Sequence, residues 1–319
     1  LFQGLNMRGF LLSSLLCAIS AAPVCAEEIS IAGPDGPLAA EALSVDGAED
    51  VVVIIPGTGP LDRDGNGPQM NAHTDLYKLL AEALAAEGIA SLRIDKRGFF
   101  ASEAAVAAPE DVTIAGYVED ARGWVRRASE MASCVWLAGH SEGGLVALLA
   151  AETAPEPLCG LILLAAPGRD LKEILLEQLE ASPWTAPYMD FYRDFYADLA
   201  AGTPRDPASF TPQLAQIYSE GQQRFLIDLF AQDPVAAAKQ WAGPVLIVQG
   251  DADLNVKPID ADALAAAMPQ AVRADLDGAT HMFKPDVPGD PFATYTDPSH
   301  PLHPGLLPAV TQFIADHEN

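Results

Sequence analysis

The chain has 319 residues, half of them hydrophobic, with 44 Asp and Glu against 18 Lys and Arg, a formal net charge of −26 and a mean hydropathy of +0.14. That apolar share supports a sizeable core and excludes a disordered acidic tail. The charge argues against nucleic acid as a partner, since a phosphate backbone needs clustered cations, and against docking on anionic lipid.

Leu1-Phe2-Gln3-Gly4 resembles the cleavage site of a viral 3C-type protease, so residues 1–6 read as a tag remnant and Met7 as the natural start. Arg8, the apolar run Phe10–Ile19 and the small residues Val24-Cys25-Ala26 then read as a secretory leader over 7–26, cleaved after Ala26. The apolar run is too short to span a bilayer, and Pro23-Val24 ahead of Cys25 makes a poor lipoprotein signal. The expected location is therefore secreted or periplasmic, with no stable membrane anchor.

Ile29–Val45 is expected as an edge hairpin and Val51–Ile55 as a buried strand. A helix is expected over Asn71–Glu87, a strand over Ile89–Asp95 and a helix over Ile114–Met131. Val135–Ala138 reads as a strand running into Gly139–Gly144 and a helix through Leu145–Ala151. Leu161–Ala165, Val245–Gln249 and Val272–Leu276 supply further strands, and Leu306–Ala315 a closing helix. Alternation of this kind argues for an α/β fold with a mostly parallel sheet covered on both faces. Cys134 and Cys159 each precede an expected strand. They read either as a disulfide between neighbouring strands in an oxidising compartment or as two small buried hydrophobes.

The rhythm breaks over 169–241, where only the helical stretches Leu171–Leu179, Tyr188–Ala200 and Leu214–Phe230 appear. Nine aromatic residues fall between Tyr188 and Phe230. We read the stretch as a helical cap, or lid, with an aromatic underside, ahead of the alternative that the aromatics merely fasten the insertion down. The core is then 27–168 and 242–319.

Gly139-His140-Ser141-Glu142-Gly143-Gly144 is the sharpest chemical signal. A serine between a strand and a helix sits on a tight turn, and side chains two residues either side would strike neighbouring backbone. The helix N-terminus favours negative charge near the hydroxyl. Such an alcohol needs a base and the base an orienting acid. His281, after the last strand, and Asp253, after Val245–Gln249, follow in the chain order this topology uses. Asp251 reads as a turn residue and Asp170 as an outside candidate for the acid. His73, His300 and His303 read as surface or capping residues, and His140 as packing beside the serine. Oxyanion donors are expected from the backbone N–H of Glu142 and of Thr58 in Pro56-Gly57-Thr58-Gly59.

Asp62–Gly67 matches only the first half of a calcium loop, because its twelfth position is His73 rather than a bidentate Glu; it reads as a turn locked by Asx bonds and Arg63. Asp95-Lys96-Arg97-Gly98 reads as a salt-bridged loop beside the mouth. Zinc spacing, a Walker loop and a dinucleotide fingerprint are all missing, so no cofactor or metal is expected.

Together, Pro56–Pro60, Asp62–Gly65, Asp95–Gly98, Gly139–Gly144, Gly250…Asp253…Val256 and His281 resemble α/β-hydrolases. They are most similar to bacterial carboxylesterases near the serine aminopeptidase and prolyl-oligopeptidase-like branches. The resemblance implies ester hydrolysis through an acyl-enzyme, with a cap inserted after the sixth strand, and leaves the acyl group open. A small-molecule ester of short to medium acyl chain is the expected substrate. An exported aminopeptidase is the first rival; it needs acids such as Glu173, Glu177, Glu180, Asp190, Asp194 and Asp198 around the substrate amine. A non-catalytic binding protein on the same fold is the second.

Overall fold

The computed structural model describes residues 24–153 and 156–317. The tag residues and all but the last three residues of the expected leader lie outside them. Those three, Val24–Ala26, open strand β1 (Val24–Ala32), which pairs antiparallel with β2 (Pro37–Val45). The sheet continues with β3 (Asp50–Ile55), β4 (Ala90–Ile94), β5 (Cys134–His140), β6 (Leu158–Leu164), β7 (Val245–Gly250) and β8 (Val272–Leu276). Its eight strands run in the order β1-β2-β4-β3-β5-β6-β7-β8, and every pairing beyond β2–β4 is parallel.

Helices α1 (Leu76–Ala86), α2 (Ile114–Ala128) and α3 (Glu142–Ala151) follow β3, β4 and β5 in turn. The connection from β6 to β7 holds α4 (Leu171–Ala181), α5 (Met189–Ala200), α6 (Pro212–Ile217), α7 (Glu220–Phe230) and α8 (Pro234–Ala238). Helix α9 (Pro258–Ala267) follows β7, and α10 (Ala293–Thr296) and α11 (Leu306–Ala315) follow β8. Central strand β3 is buried throughout, so it reads as one apolar run rather than an alternation. Val51, Val53 and Ile55 pack with α2 and α3 on one face, while Val52 and Ile54 pack with α1 and α11 on the other. Each such buried Val or Ile contributes about 1.5–3 kcal/mol. Cys134 and Cys159, near the starts of neighbouring β5 and β6, are joined by a disulfide with Cα atoms 5.6 Å apart.

Three expectations shift. The helix expected from Asn71 begins only at Leu76. The Asn66 side chain takes the N–H groups of Thr74 and Asp75, and Asp75 sits at φ 49°, so 71–75 are tied into the preceding loop. The long helix expected over Leu214–Phe230 is two, α6 and α7, because the Ser219 hydroxyl starts a new helix by accepting from Gln222 N. Most of the cap aromatics pack on one another instead of facing the site, while Phe225 packs on Tyr117 of α2 and Tyr188 is exposed. Phe195 is fully buried, with ring centroids 5.3 Å from Phe210 and 5.0 Å from Tyr218.

Candidate active site

Strand β5 is a run of buried residues that ends at His140, and Ser141 caps the N-terminus of α3 at φ 55°, ψ −124°. A non-glycine residue at positive φ costs on the order of 1–3 kcal/mol and persists only where its surroundings impose it. Here they do. A Cβ at Gly139 would lie 2.1 Å from Gly143 O, and one at Gly143 2.5 Å from Ile55 O. Ser141 N donates to Leu164 O at 2.9 Å, tying the turn to β6.

His281, beyond the end of β8, and Asp253, beyond β7, meet: Nδ1 stands 2.7 Å from Asp253 Oδ2. The other carboxylate oxygen accepts the N–H groups of Asn255 and Val256 at 2.7 and 2.9 Å. With both oxygens engaged, the carboxylate holds the ring in one orientation. Asp251 instead accepts from Gly278 N at 2.6 Å, and Asp170 accepts from Lys172 N at the start of α4. His73 is exposed, His303 lies 3.1 Å from Asp277 O and His300 lies 3.9 Å from Asp297, so none joins the site.

His140 lies beneath this pair, its ring 4.6 Å from that of His281. Its Nε2 stands 2.9 Å from His281 O, which can only accept, so Nε2 carries the proton. Nδ1 therefore accepts from Tyr77 Oη at 2.8 Å, and that oxygen accepts from Gly57 N at 2.9 Å. Burial holds the His140 imidazolium well below its ordinary value, and burial likewise pushes the Tyr77 phenol up. The chain passes no net charge and fastens the loop after β3 to the elbow.

Thr58 and Glu142 both border Ser141 in a small cavity, and among the described residues neither N–H has a protein acceptor. The Glu142 side chain, which the sequence leaves undirected, points inward: Oε1 is 3.2 Å from Lys96 Nζ, and that ammonium also donates to Gly57 O at 2.6 Å. Among the described residues, Oε2 is buried without a partner. The rest of the Asp95–Gly98 loop is ion-paired, Asp95 with Arg63 at 2.7 Å and Arg97 with Asp120. Asp62 Oδ1 accepts from Asp64 N and Asn66 N, closing the Asx-locked turn.

Ser141 and His281 open on a cavity of about 470 Å³. Its walls are the loop from Leu61 to Leu76 and the segment after β8, with Met70, Met282, Phe292 and Tyr295 prominent; Leu175 and Gln178 are the cap's share. None of the acids Glu173, Glu177, Glu180, Asp190, Asp194 or Asp198 lines it. Glu177, Glu180 and Asp198 are engaged by Arg169, Arg193 and Arg205, and hydrogen bonds from Arg169 pull the Glu177 carboxyl down to about 2. Tyr77, Lys96 and the residues of the wall segments carry no motif of their own; only the Asp-Lys-Arg-Gly loop hinted at Lys96.

The family described as serine aminopeptidase, S33, matches residues 68–286. Esterase EstD of Thermotoga maritima is 27% identical over 215 residues, 66% of this chain and 48% of EstD, so the match spans about half of that relative. Among solved structures, Est1E from Butyrivibrio proteoclasticus, bound to ferulic acid, superposes with a TM-score of 0.58 at 19% identity over 91% of this chain and 98% of its own. An esterase of Pyrococcus furiosus gives 0.57 at 14% identity over 93% and 92%. At such identities these structures speak for the fold alone. With more than half of its length matched, and with this sheet order and strand-to-helix serine, the chain is an α/β-hydrolase and belongs to the serine aminopeptidase (S33) family.

Proposed function

We propose that the protein hydrolyses carboxylic esters through an acyl-enzyme on Ser141. The observation that carries this reading is that His281, held by the buried Asp253, opens together with Ser141 on one largely apolar cavity. His281 Nε2 takes the Ser141 proton as Oγ attacks the ester carbonyl carbon. The N–H groups of Thr58 and Glu142 hold the oxyanion. The C–O bond to the alcohol then breaks, and the leaving oxygen receives the proton from His281. Water, deprotonated by the same ring, releases the acid and restores Ser141.

The space around Ser141 is unequal. A second cavity of about 30 Å³ touches Ser141, Thr58 and Glu142 under α4 and α7, away from His281. The leaving oxygen must face the proton on His281, so the alcohol belongs in the large cavity and the acyl group in the small one. The small one is walled by Leu171, Ile174, Leu175 and Leu229 and is by far the more confined of the two. This favours short acyl groups on bulky, neutral, apolar alcohols. The leader-like sequence over 7–26 and the Cys134–Cys159 disulfide support a reading of export to an oxidising compartment.

A peptidase reading draws on the family's description as serine aminopeptidase and on the carboxylate of Glu142 next to Ser141, one oxygen of which has no partner among the described residues. Lys96 already balances that carboxylate, and the cap acids lie outside the cavity, so the ester reading stands ahead. The test is a panel of p-nitrophenyl esters of graded acyl length beside aminoacyl anilides, with fluorophosphonate labelling. Turnover should peak at acetate to butyrate, and Ser141→Ala should lose labelling and at least about 10³-fold in kcat. Faster anilide turnover would reassign the substrate, and a parent chain that resists labelling would leave a binding protein.

A further inference from the structure

Building on the esterase reading, we propose that Lys96 is a positioning residue of the oxyanion hole, acting through the Gly57–Thr58 peptide. In a trans peptide the C=O and the N–H point in opposite directions. Lys96 Nζ donates to Gly57 O at 2.6 Å, so the Thr58 N–H on the far end of that same peptide faces away from the ammonium. That far side is the serine: Thr58 and Ser141 line the same two cavities, and a Cβ on Gly57 would fall 3.2 Å from Ser141 Cβ. Turning the peptide over would aim an N–H at an ammonium and a carbonyl oxygen at the site of developing negative charge. Both are electrostatically unfavourable in a buried setting. The ammonium also polarises the peptide, which strengthens its N–H as a donor.

The same Nζ lies 3.2 Å from Glu142 Oε1, and the backbone N–H of Glu142 is the second donor. One buried cation therefore links the two residues whose N–H groups converge on the oxyanion. It also balances a carboxylate that otherwise stands beside developing negative charge. Lys96 Nζ sits 5.0 Å from the Tyr117 ring centroid, which helps to hold the buried ammonium in place. The Tyr77 hydroxyl fixes the other side of Gly57 through its N–H, so the loop is anchored front and back.

The test compares the parent with Lys96→Met and with Lys96→Met/Glu142→Gln, each normalised to sites titrated by fluorophosphonate. The double variant removes both buried charges, and so decides the matter if the single one does not fold. With p-nitrophenyl acetate, kcat should fall about 10²-fold while KM changes less than threefold, the range seen for loss of one oxyanion donor. Inhibition by a trifluoromethyl ketone, whose adduct carries the oxyanion, should weaken by the same factor as kcat/KM. A merely structural role would lower the titrated fraction and leave these ratios alone. Retention of kcat within threefold in the folded variant, or a ketone affinity that does not follow kcat/KM, overturns the role of Lys96. Failure of the parent itself to label or to turn over esters overturns the esterase reading instead.

Discussion

At the scale of single residues, the proposed chemistry turns on the orientation of one imidazole. Asp253 has both carboxylate oxygens committed, one to His281 and one to two backbone N–H groups, so it acts as a rigid bracket. Asp253→Asn keeps the shape but presents an N–H where His281 needs an acceptor. We expect kcat to fall about 10²–10⁴-fold with little change in melting temperature, read by ester turnover beside a thermal melt. Full retained activity would move the orienting role to another acid. The placement of Ser141, Asp253 and His281 beyond the ends of three strands was legible in the sequence because each follows an apolar run. Lys96 and Tyr77 were not, because their partners lie 39 and 63 residues away and no local pattern encodes such a pairing.

At the scale of elements, the strand–turn–helix around Ser141 shows how close packing dictates residue type. The glycines at 139 and 143 are there because neighbouring backbone occupies the space of a side chain, and that could be read from spacing alone. The cap behaves differently. Its helices could be read from periodicity, but which way its aromatics face could not, since an amphipathic helix looks the same whether its apolar stripe covers a site or another cap helix. Phe195 has its ring among Phe191, Phe210 and Tyr218 and is fully buried. Phe195→Ala should cost about 3–5 kcal/mol by urea denaturation while Ser141 still labels in the folded protein. A cost below 1 kcal/mol would mean that the cluster is loosely packed.

At the scale of the whole molecule, the charge of −26 surrounds a site whose cavity is largely apolar. Such a field lowers the local concentration of anions more than it affects neutral molecules, and salt screens it. An ester carrying a carboxylate on its alcohol should therefore show a lower kcat/KM than its uncharged isostere. The gap should narrow as ionic strength rises from about 0.01 to 0.5 M, over which the screening length shrinks from roughly 30 Å to under 10 Å. A ratio indifferent to salt would show that the field does not reach the site. By itself the sequence determined the strand–helix alternation, the tight turn at Ser141 and the placing of Asp253 and His281 beyond later strands, because all three depend on local periodicity and close-range sterics. The tertiary structure alone decided the rest: a cavity walled by Leu61–Leu76 and the segment after β8, an inward Glu142 held by Lys96, and an aromatic cap that packs on itself. Those features arise where segments distant in the chain meet, and the energy of such contacts depends on shape and charge in three dimensions rather than on any repeat along the chain.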